Sequence, residues 1–500
     1  MQYQSSRGEC RAVSAAQAIT MGISPDGGLF VPGYIPSINA DTLKQMESWS
    51  YQEIAVYIME QYLEDFSLQE IKECVYGAYN RDRFDHEEIA PLVELEPGFY
   101  IQELWHGPTL AFKDMALQIL PRFLTVSARK TGEQSEFIIL VATSGDTGKA
   151  ALEGFKDVPG TRIIVFFPQD GVSEIQKLQM ITQEGSNVCV AGVTGNFDDA
   201  QSGVKSIFTS DQVIEQLGRH HMKMSSANSI NWGRLLPQIV YYVSAYVELC
   251  GRGAVQAGEA INIVVPTGNF GNILAAYYAS RMGIPVKRLI CAANPNNVLT
   301  DFIRTGTYDR NRNFEKTVSP SMDILISSNL ERLLFELTDH DSIRISRWME
   351  ELKNSGRYTV DDSTRRQVQQ MFWSDYCSDA ETLETIASVW KEHNYLLDTH
   401  TAVAVNVYNK FRQQAGDSSC TVIASTASPF KFGSSVAQAV LADELVKGKD
   451  EFQTLEALSA ETGIDIPAGI KGLNRRPIRH ETVTSARDMQ KTVLSFLNLG

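Results

Sequence analysis

The chain has 500 residues, 43% of them hydrophobic and 21% charged, which is typical of a globular protein with about two or three domains. The net charge of −15 argues against a nucleic-acid partner, because a phosphate backbone requires a basic surface. No apolar run approaches the ~18 residues that span a bilayer, residues 1–8 contain no apolar signal region, and the seven cysteines form neither a CxxC pair nor a Cys/His cluster. We therefore expect a cytoplasmic protein without a metal site, a disulfide framework or a membrane partner.

The first predicted unit is an accessory domain over residues 1–95. Residues 24–28 and 32–33 contain the glycines and prolines of turns. Ser50 with Glu53, and Ser67 with Glu70, have the spacing of capping boxes, so each pair predicts the start of a helix.

From about residue 101, short apolar runs rich in β-branched residues alternate with helical stretches. Runs of this kind are buried on both faces in parallel sheets covered by helices, so they predict an α/β fold. They lie at residues 137–141, 162–167, 261–265, 289–292 and 421–424. The more polar region at about 305–400, with a predicted helix from Asp379 to His393, is interpreted as an insertion or a helical layer. We therefore expect a small α/β domain at 96–250 and a large α/β domain at 251–500.

Lys113 is the one lysine of residues 106–118, and Phe112 and Met115 flank it. An ammonium group carried into apolar surroundings loses hydration, which lowers its pKa. The neutral amine is then a nucleophile for carbonyls, including the aldehyde of pyridoxal phosphate. A solvated surface lysine is the alternative, and two loops elsewhere in the chain argue against it.

The two loops are strand-to-helix turns that can bind anions. Residues 265–272 precede a predicted helix from Ile273 to Met282, and residues 142–148 precede one from Lys149. Glycines allow close approach of the backbone, and the N–H groups at a helix start lack partners. A capped turn, in which Asp146 satisfies the helix N terminus, is the alternative for the second loop. Both loops are expected at the carboxyl ends of strands, where α/β sheets bind ligands.

Taken together, these residues resemble the threonine synthase family, pyridoxal-phosphate enzymes of the tryptophan-synthase-β type (fold type II). The resemblance runs from residue 5 to about 433. It rests on residues 5–8, 24–32, 112–114, 143–148, 228–232 with Arg234, 268–272 and 425–429. It implies two sheet-containing domains, of which residues 251–500 form the cofactor domain, and an accessory N-terminal domain.

The resemblance also implies a role for each matching residue. Lys113 would hold pyridoxal 5'-phosphate as a Schiff base, and Thr426 would meet its pyridine nitrogen. Three further sets would bind anions: the cofactor phosphate by Gly268, Asn269, Phe270, Gly271 and Asn272; the substrate α-carboxylate by Thr143, Ser144, Gly145, Asp146 and Thr147; and the substrate phosphate by Asn228, Ser229, Asn231 and Arg234. A capping run with a surface arginine is the alternative for the last set.

The implied activity is that of a lyase in threonine biosynthesis, which converts O-phospho-L-homoserine and water to L-threonine and phosphate. The chemistry is γ-elimination followed by addition of water at the β carbon. The expected partner is this small-molecule substrate, and the protein is expected to be a monomer or a small homo-oligomer.

One position departs from the family, since Ser428 stands where histidine is usual before the proline. Nearby, Lys431 could reach an anion, but it is expected on the surface. His106, beside Trp105, is expected to be structural, and Asp114 is expected to be a carboxylate in the first turn of a helix.

Three alternatives remain open from the sequence. A related phospholyase would expel phosphate and release a keto acid. An amino-acid dehydratase acting on a free hydroxyl would not need the set from Asn228 to Arg234. A non-catalytic relative would be expected to lack the lysine, whereas Lys113 is present.

Overall fold

The computed structural model describes residues 1–143, 145–169 and 171–499. In chain order the strands are β1 (Tyr3–Ser5), β2 (Phe30–Pro32), β3 (Leu92–Glu96), β4 (Phe99–Glu103), β5 (Glu136–Ala142), β6 (Thr161–Pro168), β7 (Val188–Thr194), β8 (Met222–Ser225), β9 (Ile261–Pro266), β10 (Val286–Ala293), β11 (Thr307–Asp309), β12 (Arg357–Thr359), β13 (Phe372–Tyr376), β14 (Thr421–Ser425) and β15 (Thr482–Ser485).

The α-helices are α1 (Ala15–Met21), α2 (Ala40–Met46), α3 (Tyr51–Tyr62), α4 (Leu68–Ala78), α5 (Asp114–Leu117), α6 (Leu120–Thr131), α7 (Asp146–Phe155), α8 (Glu174–Ile181), α9 (Phe197–Phe208), α10 (Asp211–Arg219), α11 (Trp232–Gly251), α12 (Gly271–Arg281), α13 (Val298–Thr305), α14 (Leu330–Leu337), α15 (Ser342–Ser355), α16 (Asp362–Met371), α17 (Asp379–His393), α18 (Thr399–Ala415), α19 (Gly433–Val440), α20 (Asp443–Val446), α21 (Glu451–Thr462) and α22 (Met489–Phe496). Short 3₁₀ helices lie at Pro320–Met322, Pro429–Phe432 and Leu473–Arg475.

Two sheets organise the described part of the chain. The large sheet has the order β13-β10-β9-β14-β4-β3, and the small sheet has the order β15-β7-β6-β5-β8. Neighbouring strands are parallel in both, except that β3 and β4 are antiparallel. Strands β9 and β14 are buried along their whole lengths, as expected of parallel strands covered on both faces. The predicted α/β class is therefore confirmed.

The N-terminal helices share their core with the rest of the molecule. Helices α3 and α4 begin at capping boxes formed by Ser50 and Ser67, as predicted. The indole of Trp232, at the start of α11, lies 5.5 Å from the ring of Tyr3 and 5.6 Å from that of Tyr62. The accessory region is thus packed against α11 by buried aromatic contacts.

Strand pairing does not follow the sequential division expected from the sequence. Strand β3 runs across the expected boundary at residue 95 and belongs with β4 to the large sheet, and β15 near the end of the chain belongs to the small sheet. The region 305–400 is mostly helical, as expected, but it also supplies β13, the edge strand of the large sheet. Pairing crosses these boundaries because parallel strands are joined by long connections, so neighbours in a sheet can be distant in sequence.

The carboxyl ends of β4, β14 and β9 lie side by side in the large sheet. They lead into residues 104–113, 426–431 and 267–272 respectively, and β5 of the small sheet leads into residues 143–147. All four predicted segments therefore follow the carboxyl end of a parallel strand. Among the described residues, no helix has the length and apolarity to cross a membrane, and no three His, Cys, Asp or Glu side chains are arranged to hold a metal ion.

Candidate active site

Lys113 lies in a turn that backbone hydrogen bonds hold against the end of β14. The N–H of Phe112 donates to the carbonyl of Thr426 at 2.8 Å, and the N–H of Ser428 donates to the carbonyl of Leu110 at 3.1 Å. The side chain of Lys113 is only 11% exposed. Burial lowers the pKa of its ammonium group, which is the condition expected of a nucleophilic amine.

The carboxylate of Asp146 lies between two lysines. Its Oδ2 is 3.5 Å from Nζ of Lys113, and its Oδ1 is 3.1 Å from Nζ of Lys431. Burial alone would raise the pKa of Asp146, but attraction by Lys431 and Lys113 holds it well below its usual range. The Asp146 side chain is therefore an anion, and it cannot itself bind the substrate carboxylate.

The expected surface position of Lys431 is wrong. The side chain is completely buried, and its Nζ donates to the carbonyl of Thr109 at 2.7 Å in addition to pairing with Asp146. A lysine is tolerated in such a position because a carboxylate and a carbonyl replace its hydration.

A chain of hydrogen bonds links Asp146 to helix α18. Ser321 Oγ donates to Oδ2 of Asp146 at 3.0 Å, and the N–H of Ser321 donates to Nε2 of His400 at 3.1 Å. Since Nε2 accepts, Nδ1 of His400 carries the proton and faces Asp398 at 3.0 Å. Gln176 also donates to Asp146, at 2.9 Å.

These surrounding residues were not predicted from the sequence. Asp398 caps α18 and so has a recognisable helix-start pattern. Ser321 and Gln176 have no local pattern that points to the site, because only the tertiary fold brings them to Asp146.

The loop between β9 and α12 has the geometry of an anion cradle. Phe270 immediately precedes α12 and has φ of +64°, and the first turn of the helix has N–H groups without helical partners. The carbonyls of Gly268 and Asn269 point away and accept hydrogen bonds from Ser327 Oγ at 2.7 Å and from Asn329 Nδ2 at 3.1 Å. With its carbonyls already bonded, the loop can present N–H groups to an anion.

Two further residues of this loop support a bound ligand. A Cβ on Gly268 would lie 2.8 Å from the carbonyl of Ser321, so only glycine allows this approach. Asn272 is buried, and its Nδ2 has no hydrogen-bond partner among the described residues. A buried donor of this kind is costly unless a ligand binds it, so the loop fits the phosphate of pyridoxal phosphate.

Thr426 follows β14 directly, and its carbonyl accepts the hydrogen bond from Phe112 described above. The side chain is 6% exposed. Thr426 therefore lies beside the lysine segment, and its hydroxyl remains a prediction as the partner of the pyridine nitrogen.

The loop at 143–147 is held by its own threonine. Thr143 Oγ1 accepts hydrogen bonds from the N–H groups of Gly145 at 3.0 Å and Gly148 at 2.9 Å, and Thr147 lies in the first turn of α7. Gly145 has φ of +134°, and a Cβ there would meet the side chain of Gln176 at 2.4 Å. Ser144 lies outside the described residues. The hydroxyl proton of Thr143 and the start of α7 remain available to an anion.

Arg234 is a buried cation without a carboxylate partner among the described residues. It is 4% exposed, its Nη1 donates to the carbonyl of Ala227 at 2.9 Å, and its Nε has no partner there. Burial lowers the pKa of Arg234 to about 10. The alternative of a surface arginine is therefore wrong, and an uncompensated buried guanidinium is suited to an anionic ligand.

The neighbours of Arg234 in sequence have different surroundings. Ser229 Oγ accepts from Asn329 at 3.1 Å, next to the loop at Gly271. Asn231 is engaged on both sides, since its Oδ1 caps α11 at Gly233 and its Nδ2 donates to the carbonyl of Ile19. Asn228 is half-buried. The Asn231 side chain therefore fixes the helix start and is not free to bind phosphate.

His106 and Asp114 are fixed by local contacts. His106 lies 2.6 Å from Asp85 and 2.8 Å from Glu103. Burial by itself would lower the pKa of His106, but these two hydrogen bonds raise it to about 9. Asp114 is in the first turn of α5, as expected, and accepts from the N–H and the hydroxyl of Thr109, both at 2.8 Å. Both residues brace the segment that leads to Lys113.

Comparison with known proteins identifies the family. Three family models match: "Threonine synthase N terminus" over residues 2–79, "Pyridoxal-phosphate dependent enzyme" over residues 84–352, and "Threonine synthase, C-terminal" over residues 401–493. Threonine synthase of Pseudomonas aeruginosa is 38% identical over 446 residues, which cover 88% of this chain and 90% of that protein. Human "Threonine synthase-like 1" is 40% identical over 441 residues, which cover 86% of this chain. The match covers 58% of that longer protein.

Solved structures agree with this result. Pyridoxal-phosphate-bound threonine synthase from Brucella melitensis has a TM-score of 0.87 and 34% identity, with 99% of both chains covered. Yeast threonine synthase has a TM-score of 0.87 and 32% identity, also with 99% of both chains covered. The chain belongs to the threonine synthase family of pyridoxal-phosphate dependent enzymes.

Proposed function

We propose that this protein converts O-phospho-L-homoserine and water to L-threonine and phosphate. The observation that carries the proposal is a buried cation, Arg234, which has no carboxylate partner among the described residues and whose Nε has no hydrogen-bond partner there. A substrate with both a reactive amino-acid end and a phosphate would use both Lys113 and Arg234. A dehydratase acting on a free hydroxyl would leave the Arg234 charge unpaired, at a cost to stability.

Pyridoxal phosphate, when bound, supplies the electron sink that makes loss of the substrate α proton feasible. The loop from Gly268 to Asn272 would hold its phosphate through backbone N–H groups and Nδ2 of Asn272. Lys113 Nζ would hold the cofactor covalently and, once displaced by the substrate amine, would accept the α proton. The Thr426 hydroxyl would face the pyridine nitrogen.

The substrate would be bound at its two anionic ends. Thr143, Thr147 and the start of α7 would bind the α-carboxylate, with Asp146 acting as the counter-ion of the lysines. Arg234 would bind the phosphate with Ser229 and Asn228, while Asn231 would hold the start of α11. Two anchored ends would fix the γ carbon, from which phosphate leaves, and the β carbon, to which water adds.

The test is phosphate release from O-phospho-L-homoserine by the purified holoenzyme, with amino-acid analysis of the products. Equal amounts of phosphate and threonine would establish the activity. Phosphate accompanied by a keto acid would indicate the phospholyase instead, and absence of phosphate would exclude both. Lys113→Ala is the control, because it should abolish both the absorbance of the lysine-bound cofactor and turnover.

A further inference from the structure

Two lysines that are distant in sequence share one carboxylate inside the site. Lys431 Nζ is 3.1 Å from Asp146 Oδ1, and Lys113 Nζ is 3.5 Å from Oδ2 of the same group. Lys431 has no exposed surface, and its bond to the carbonyl of Thr109 fixes its direction. The proposed function gives Lys431 no role, although burying a second lysine here is costly.

We propose that Lys431 is a positioning residue that binds the Asp146 carboxylate and so prevents a full ion pair between Asp146 and the Lys113 amine. This inference rests on the proposed function in that it takes Lys113 as the amine that must lose a proton. An ammonium paired with a buried carboxylate retains its proton. An amine must be neutral to attack an aldehyde or to accept a proton from the substrate.

Other polar and charged groups surround this cluster. The charge of Arg234 from α11 acts on Lys113, and the imidazole of His400 from α18 is linked to Asp146 through Ser321. The charge of Lys431 also acts on Lys149 in α7 and on Asp114 in α5. Neutralising Lys431 would act on Lys113 in two ways. It would remove a charge that repels Lys113, and it would release Asp146 to pair with Lys113.

The proposal predicts opposite effects for the two partners. In Lys431→Met, the pKa of Lys113 should rise by about 1 unit or more, because Asp146 is then shared with no other cation. In Asp146→Asn, the pKa of Lys113 should fall, because the attraction is lost and the repulsion by Lys431 remains. Lys431→Arg keeps the charge and should leave the pKa of Lys113 nearly unchanged. A merely structural role for Lys431 would produce no such opposition.

The measurement is competitive acetylation of the full-length apoenzyme with trace acetic anhydride over a range of pH. Mass spectrometry would quantify the Lys113 peptide against the exposed Lys44 as an internal reference. Circular dichroism would establish that each variant is folded. Because neither cofactor nor substrate is present, failure of the proposed activity would appear in the phosphate assay and would not alter this result.

Lys431→Gln provides a second neutral variant that keeps a hydrogen-bond donor, in case Lys431→Met does not fold. An unchanged or lowered pKa of Lys113 in the folded neutral variants would overturn the proposal. The double variant D146N/K431M, compared with D146N, measures the repulsion by Lys431 alone, because no carboxylate is left to pair with Lys113. The rise in the pKa of Lys113 should therefore be smaller in this pair than between wild type and the folded neutral variant, and an equal rise in both backgrounds would overturn the proposal.

Discussion

The hydroxyl of Tyr241 donates a hydrogen bond of 2.6 Å to the side-chain oxygen of Asn272. The neighbouring Tyr242 donates to the same oxygen. With its oxygen fixed from helix α11, Asn272 can direct only its Nδ2 donor elsewhere, and the proposed function directs it to the cofactor phosphate.

Asn272→Asp tests this orientation. An aspartate accepts the same two tyrosine hydrogen bonds, so the fold should be kept, but its second oxygen would repel the phosphate. Loss of a hydrogen bond to a charged group costs about 1.5–3 kcal/mol, so the Kd for pyridoxal phosphate should rise roughly 10- to 100-fold. Fluorescence titration of the apoenzyme measures this Kd, and an unchanged value would contradict the orientation.

Arg234→Gln should weaken function and strengthen the fold. Removing the charge should lower kcat/KM for O-phospho-L-homoserine roughly 10- to 100-fold, while the thermal midpoint of the substrate-free enzyme should rise because an unpaired buried cation is removed. Arg332→Gln is the matched control. Arg332 is equally buried but donates to the carbonyls of Phe30, Ser229 and Ile230, so its loss should lower the midpoint. A fall in the midpoint for Arg234→Gln as well would argue for a structural role.

Gly145→Ala should impair the carboxylate loop. The φ of +134° strains any side chain, and the added Cβ would displace Gln176 from Asp146. We expect kcat/KM to fall roughly tenfold or more, since a hydrogen bond to a buried charge is lost. Gly132→Ala is the control, because Gly132 also has positive φ but its Cβ would meet no atom within 4 Å. Equal losses in the two variants would show that strain alone is responsible.

The ion pairs of His106 should make stability depend on pH. Its pKa is raised from 6.5 to about 9, so the protonated form is stabilised by at most roughly 3 kcal/mol. That stabilisation is complete below pH 6.5 and is lost as the pH rises to 9. The thermal midpoint of the wild type should therefore fall over this range more steeply than that of His106→Asn. His220→Asn, at an exposed position, should behave as the wild type, and parallel curves for all three proteins would refute the prediction.

Local patterns predicted much of the fold. The capping boxes at Ser50 and Ser67 mark true helix starts, and the helix from Asp379 to His393 has the predicted bounds. Strand β7 was not among the predicted runs, although its three valines give it the same β-branched pattern, and β13 was missed because it lies in a polar region. Strand order was not predictable, since a parallel neighbour can come from any part of the chain.

The site was predictable where its chemistry lies in a contiguous motif. Lys113 and the glycine loop at 268–272 were proposed as site residues for this reason, and both follow the carboxyl ends of strands of the large sheet. The burial of Lys431 could not be foreseen, because its partners at Thr109 and Asp146 approach it only in the folded sheet; Thr109 is 322 positions away. The roles of Asp146 and Asn231 likewise depend on contacts that only the fold creates.

The position of β14 has a consequence for how the protein is made. This strand lies between β9 and β4, and residues just beyond it bind the backbone around Lys113. A nascent chain that has not yet reached residue 421 holds β4 and β9 without the strand that joins them. The cofactor site therefore cannot be completed on the ribosome until synthesis has passed residue 431, and an earlier arrest would leave two apolar strand edges open to aggregation.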